Sequence, residues 1–185
     1  FRSGLAEVVK YGVIADPGLF QVLEDRLQPV LDQDPKLLRD LVAACVRAKA
    51  AIVEQDPLEA GLRAVLNFGH TVGHALEAAS GYALDHGQAV AVGMVAEARL
   101  ATGITGFPEQ DLTRLRALLE GAGLPVKLPD GITPDQILAA AGADKKNRQG
   151  QVRCALPSRI GEMMAGPDPT VRVSLGDLEA ALPAD

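Results

Sequence analysis

Leu66-Asn67-Phe68-Gly69-His70-Thr71-Val72-Gly73-His74-Ala75, followed shortly by Asp85-His86-Gly87-Gln88, holds all three histidines of the chain within seventeen residues. Imidazole is the commonest side-chain ligand for a borderline metal such as zinc. The stretch reads as a helix from Asn67 to about Ala79, stopped by Ser80-Gly81. At about 100° per residue, Asn67, His70, His74 and Glu77 fall on one face. Arg63 continues that stripe if the helix reaches so far back. Phe68, Val72, Ala75 and Leu76 lie elsewhere and can pack. Solvated faces usually carry Lys and Glu, so a line of Asn, His and His reads as the wall of a cleft.

Two ligand sets are open at this point. His70 and His74, four residues apart, can both ligate; alternatively His70 joins His86 and a carboxylate. The H-E-x-x-H protease motif fails, because Thr71 stands where glutamate is required. A single histidine is more often a cap or a partner of a core carbonyl. Three clustered ones favour a metal.

Working outward, the chain reads as mainly α. Leu5, Val8, Val9 and Val13 have helical spacing over residues 3–14, and Asp16-Pro17-Gly18 breaks the pattern. Leu19 to Leu31 starts a second segment. Asp34-Pro35 is a helix start, with aspartate as cap and proline in the first turn. The helix it opens carries Leu38, Leu41, Val42, Cys45, Val46, Lys49 and Ile52 as a broad stripe. Gly61 to Val65 is a short connection. Gln88 to about Thr102 is an Ala-, Val- and Met-rich helix buried on most sides. Pro108–Gly121 is amphipathic, and Thr133-Pro134 caps a short helix reaching Ala141. Gln151–Leu156 alternates as a strand, with Val171–Ser174 as its partner. Ser174 caps a final helix. The expected fold is one helical domain over residues 1–185 with at most one small β-hairpin.

Composition narrows the function. Trp is absent and aromatics are scarce, so Ala, Leu, Val and Ile build the core. A net charge of -6 with no lysine-arginine run argues against nucleic acid. No apolar stretch approaches the roughly 20 residues a membrane span needs, and no signal peptide is visible. Cys45 and Cys154 lack CxxC spacing, and Cys45 reads as a buried free thiol. A cytoplasmic protein is expected. The chain opens at Phe1 and runs straight into a helical pattern, which reads as the downstream part of something longer. Neither G-x-G-x-x-G after a strand nor G-x-x-x-x-G-K-[ST] occurs. In the first helix Glu7 and Lys10 lie three residues apart, which fits a surface ion pair as well as a ligand beside an ammonium. Lys49 alone reads as snorkelling, and Lys145-Lys146 as a solvated loop.

Ser3-Gly4-Leu5-Ala6-Glu7-Val8-Val9-Lys10-Tyr11-Gly12, Gly61-Leu62-Arg63, the block from Leu66 to Ala75, His86-Gly87-Gln88-Ala89-Val90-Ala91-Val92-Gly93-Met94 and Asp144-Lys145-Lys146 occur in that order. Together they resemble the 3-dehydroquinate synthases over nearly the whole chain. The part resembled is the helical carboxy-terminal domain; the family's amino-terminal, Rossmann-like NAD-binding domain lies outside this sequence. The resemblance implies zinc or cobalt held by Glu7, His70 and His86. It implies an active-site role outside the ligand set for His74, and substrate contacts for Lys10, Lys49, Arg63 and Asn67. It also implies a phosphate contact for one of Lys145 and Lys146. The catalytic set is then His74, Lys10 and Asn67. The sequence departs from the family's usual pattern at Gln88, commonly glutamate, and at Asp56-Pro57, usually a more acidic pair.

The family's substrate is 3-deoxy-D-arabino-heptulosonate 7-phosphate. The resemblance implies transient oxidation by NAD, elimination of phosphate, re-reduction, and ring opening and closure by an aldol step, within the shikimate route to aromatic amino acids. Transient oxidation acidifies the neighbouring C–H, and several cations offset a multiply anionic substrate. A homodimer is implied as well. Related sugar-phosphate cyclases that form 2-deoxy-scyllo-inosose or valiolone share this plan, as does a metal-dependent polyol dehydrogenase. A non-catalytic metal-binding or assembly domain is the alternative from another class.

Overall fold

The computed structural model describes residues 1–58, 61–143, 151–166 and 168–183. The Asp144-Lys145-Lys146 motif lies outside the described residues. Helices dominate: α1 (Arg2–Ile14), α2 (Pro17–Asp25), α3 (Leu27–Leu31), α4 (Pro35–Gln55), a 3-10 helix (Leu62–Asn67), α5 (His70–Ala79), α6 (His86–Ile104), α7 (Glu109–Gly121), α8 (Pro134–Ala143) and α9 (Leu175–Ala181). Starts follow the local chemistry. Asp16 and Asp34 each accept a backbone N–H three residues on, at 2.9 and 2.8 Å, with proline in the first turn behind them. Ser174 caps α9 through the Asp177 N–H. The expected segment from Leu19 to Leu31 is two helices, because Pro29 has no N–H to offer the Asp25 carbonyl and the chain breaks at Arg26.

α6 is the axis of the fold. It is buried on nearly every side and packs against α5, α1, α7 and α9. One continuous apolar cluster surrounds it, including Phe20, Phe68, Phe107, Met94 and Leu115. Small residues let α5 and α6 approach closely. A Cβ added at Gly93 would run into the Gly69 carbonyl oxygen, and one at Gly73 would press on Val90 at 3.3 Å.

The strand pair falls where alternation predicts it: β1 (Gln151–Ala155) runs antiparallel to β4 (Thr170–Ser174), with Arg153 opposite Arg172. A second, smaller antiparallel pair, β2 (Pro157–Arg159) with β3 (Glu162–Met163), was not expected. It is a tight reversal closed at Gly161 (φ 88°), too short to leave a periodic signal.

Two expectations are corrected. The helix carrying His70 does not begin at Asn67. The chain runs as a 3-10 helix to Asn67, reverses at Phe68-Gly69 with Gly69 at φ 80°, and only then enters α5. At about 120° per residue in a 3-10 helix, Arg63 and Asn67 do not share a face, and neither lies on α5. The apolar stripe of α4 is also narrower than expected. Leu37, Leu41 and Ile52 are buried, but Val42 and Val46 are 59% and 61% exposed, and Lys49 is exposed.

Candidate metal centre

Three elements bring the site together. α1 contributes Glu7, α5 opens with His70, and α6 opens with His86. Ser3 ties the first to the third, since its hydroxyl accepts the Gly87 N–H at 2.9 Å. Glu7 lies one turn beyond Ser3 and so arrives beside His86. A ligand atom from each of Glu7, His70 and His86 lies within 4.8 Å of the other two.

The hydrogen bonds fix what these atoms present. His70 Nδ1 donates to the Phe68 carbonyl at 3.1 Å, and His86 Nδ1 donates to Glu77 Oε1 at 3.1 Å. In the neutral ring each Nε2 then carries the lone pair, and both Nε2 atoms lie near the same atom, Glu7 Oε1, at 3.5 and 3.7 Å. That oxygen is buried and has no hydrogen-bond partner among the described residues. The other oxygen, Oε2, is held by Lys10 Nζ at 2.7 Å. With neutral rings three lone pairs converge and repel one another, and a cation in the middle reverses that. Donors on a tetrahedral zinc at about 2.0–2.1 Å stand roughly 3.3 Å apart, close to the spacing seen here. An imidazole whose second nitrogen is held by a carboxylate or carbonyl is the usual support of a metal-bound histidine. The residues present fit a divalent metal.

Electrostatics agrees. Burial, with the Lys10 ammonium close by, holds the His70 imidazole below its ordinary value and so keeps it neutral and able to ligate. Lys10 itself is buried, 4% exposed, which is uncommon for an ammonium without a partner such as Glu7.

His74 is exposed one turn along α5, edge-on to His70 with ring centroids 5.3 Å apart. Asn67 is exposed at the end of the 3-10 helix, and Arg63 is half-buried near its start. Lys49 is exposed one turn beyond Cys45, whose thiol feels the charges of both Glu7 and Lys10. α4 packs against α1, the helix that carries Glu7 and Lys10.

Three supporting residues escaped the sequence reading. Glu77 shares a helical face with His70 and His74 by spacing, but nothing in the sequence marks it as the partner of His86. Asp56 is buried, and its Oδ2 accepts the Gly61 and Arg63 N–H groups at 3.0 and 2.9 Å, so it starts the turn that carries Arg63 and Asn67. Glu97 is fully buried in α6, and burial pushes its carboxyl up to about 8 against the pull of three backbone N–H groups. A lone carboxylate in an Ala-, Val- and Met-rich run was its signal. The departure at Gln88 is mild, because its side-chain oxygen faces the Asp85 N–H at 3.4 Å, as a glutamate oxygen would.

A helical domain that brings one carboxylate and two imidazoles to one point has the layout of a candidate metal site. The chain belongs to the 3-dehydroquinate synthase C-terminal family, which matches residues 4–147. The 3-dehydroquinate synthase of Xanthomonas campestris pv. campestris (strain 8004) is 46% identical over 173 residues, covering 90% of this chain and 47% of that protein. That of Xylella fastidiosa (strain 9a5c) is also 46% identical, with 44% of its length covered. The chain thus spans about half the length of the curated relatives it matches. Among solved structures, a 2-epi-5-epi-valiolone synthase from Streptomyces hygroscopicus subsp. jinggangensis 5008, with NAD+ and Zn2+ bound, superposes with a TM-score of 0.82 at 30% identity. It covers 98% of this chain and 49% of that one. A 2-deoxy-scyllo-inosose synthase complexed with carbaglucose-6-phosphate, NAD+ and Co2+ gives a TM-score of 0.85 at 26% identity, covering 98% of this chain and 51% of its own.

Proposed function

We propose that this chain is the metal- and substrate-holding half of a 3-dehydroquinate synthase, a phosphate-eliminating lyase acting on 3-deoxy-D-arabino-heptulosonate 7-phosphate. The observation that carries this reading is the convergence of Glu7 Oε1 with the two imidazole Nε2 atoms, in a chain of this family. Glu7, His70 and His86 would hold Zn2+ or Co2+, the ions named with the two solved relatives. When bound, the metal supplies a Lewis acid for substrate oxygens, and NAD, on the half of the enzyme outside this sequence, supplies the hydride acceptor.

The chain's own residues do the rest. Lys10 holds Glu7 Oε2, so that Oε1 stays turned to the imidazoles. Its buried ammonium also adds positive charge where an anionic substrate must sit. Arg63 offers a planar fork to a carboxylate, and Lys49 with Lys145 or Lys146 offers point charges to phosphate. Asn67, exposed at the close of the 3-10 helix, can bond a hydroxyl as donor or acceptor. His74 presents an exposed imidazole beside His70, placed to take or return a proton at a substrate hydroxyl.

A sugar-phosphate cyclase of the valiolone or inosose type is the second reading, because those enzymes superpose over 98% of the chain. The higher identity to the dehydroquinate synthases, 46% against 30% and 26%, favours the first. A homodimer is proposed with it, and the exposed Val42 and Val46 of α4 offer apolar surface for a second copy or for the NAD-binding half. The deciding experiment joins this chain to a dehydroquinate synthase NAD-binding half and supplies zinc, NAD and each candidate sugar phosphate in turn. Phosphate release from 3-deoxy-D-arabino-heptulosonate 7-phosphate, lost in Arg63→Ala, supports the proposal. Turnover of only the sugar phosphate of a valiolone- or inosose-forming synthase would replace it with the second reading.

A further inference from the structure

Gly69 is the N-cap residue just before α5, and it has no side chain with which to cap the helix. The first N–H groups of any helix lack an internal partner. Here they are met from another helix. Glu97, fully buried in α6, accepts the Gly69 N–H through Oε2 at 2.8 Å. Its Oε1 accepts the N–H groups of Thr71 and Val72 at 3.0 and 3.3 Å. Three otherwise unmatched donors thus converge on one carboxyl, and the positive end of the α5 dipole faces it.

The Gly69 N–H belongs to the same peptide unit as the Phe68 carbonyl, and that carbonyl accepts from His70 Nδ1 at 3.1 Å. One rigid peptide plane is therefore gripped at both ends, by Glu97 at its N–H and by the His70 ring at its oxygen. Turning the plane would swing the carbonyl away and release the imidazole. The site is crowded enough to resist other solutions, since a Cβ at Gly69 would lie 2.6 Å from Met94 Cγ. α6 also begins with His86, eleven residues before Glu97. A single helix thus supplies one nitrogen of the candidate centre directly and orients the other through a peptide bond.

We propose that Glu97 is a positioning residue for the metal centre, acting through the Phe68–Gly69 peptide to aim His70 Nε2 at the ion. The inference rests on the metal-binding reading above. It predicts that Glu97→Gln, which turns an amide N–H toward backbone donors, weakens Co2+ binding about 10- to 100-fold. The visible spectrum of the bound Co2+ shifts with it, because the donor geometry changes. Leu115→Ala, a fully buried change on α7, is the control for lost stability alone. It lowers the melting temperature but leaves the Co2+ spectrum where it is.

Wild-type protein gives a test that needs no variant. The Gly69, Thr71 and Val72 amides are expected to exchange slowly with solvent, and zinc is expected to slow Gly69 further. Wild-type Co2+ affinity and spectrum in Glu97→Gln would overturn the proposal, as would an unprotected Gly69 amide. Absence of Co2+ binding by the wild type would overturn the metal reading together with it. Normal wild-type binding with an indifferent Glu97→Gln removes this inference only.

Discussion

Glu7 divides its two oxygens between an ammonium and a pair of imidazoles, and substitution at this scale separates the roles. Glu7→Gln, His70→Ala and His86→Ala are each expected to weaken Zn2+ binding by at least about 100-fold, more than outer residues usually cost. His74→Ala is expected to leave affinity within a few-fold while reducing turnover in the joined enzyme. Competition against a zinc indicator measures the first, and phosphate release the second. The cysteines make a separate prediction. Burial, reinforced by the charges of Asp16 and Glu7, pushes the Cys45 thiol up to about 11, and burial pushes Cys154 up as well. The thiolate is the reactive form, so native alkylation at pH 8 is expected to be slow at both and to rise at Cys45 as pH climbs toward 11. Rapid labelling of Cys45 at pH 8, read by mass spectrometry, would contradict that environment. The histidines were legible in sequence because they are few and close together. Glu7 was legible only through the order of flanking motifs, because i, i+3 spacing with Lys10 also describes a surface pair. Glu97 and Asp56 were not legible as supports, since their partners are backbone N–H groups that have no signature in sequence.

α5 and α6 touch backbone to backbone, and two glycines of α6 make that testable. Gly93→Ala would drive a methyl into the Gly69 carbonyl, and a loss of at least about 1–3 kcal/mol is expected from the forced separation. Gly103 lies in the same helix with open space at its Cβ position. Gly103→Ala is therefore expected to be neutral or to stabilise by up to about 1 kcal/mol. Urea unfolding of the two variants gives the comparison, and equal effects would contradict the packing described. Helix positions were readable at this scale from caps, prolines and apolar spacing, as at Asp34-Pro35 and Ser174. The reversal at Phe68-Gly69 was not, because a glycine inside an apolar periodic run reads equally as helix interior. Its left-handed conformation goes with tertiary surroundings: Glu97 accepts its N–H, and Met94 leaves no room for a Cβ. The broad α4 stripe failed for a related reason: Val42 and Val46 are apolar, but no other described element covers them.

At the scale of the whole molecule, the fold gathers a candidate metal cluster from the first residues of α5 and α6 and the middle of α1, open to solvent through His74, His86 and Asn67. No described helix is long and apolar enough to cross a membrane. Hydride transfer needs a bound nicotinamide, and the 185-residue chain carries no fingerprint for its pyrophosphate. Zinc binding without dehydroquinate formation is therefore expected from this chain given zinc, NAD and substrate. Turnover by the rigorously purified chain would overturn that division of labour.

The central claim, that Glu7, His70 and His86 hold one divalent metal, is tested most directly by zinc K-edge X-ray absorption on the protein loaded with one equivalent of Zn2+. The predicted result is a shell of nitrogen and oxygen donors at about 2.0–2.2 Å with the outer-shell scattering of two imidazoles, reduced to one imidazole in His86→Ala. A sulfur shell near about 2.3 Å, or a shell indifferent to His86→Ala, would contradict it.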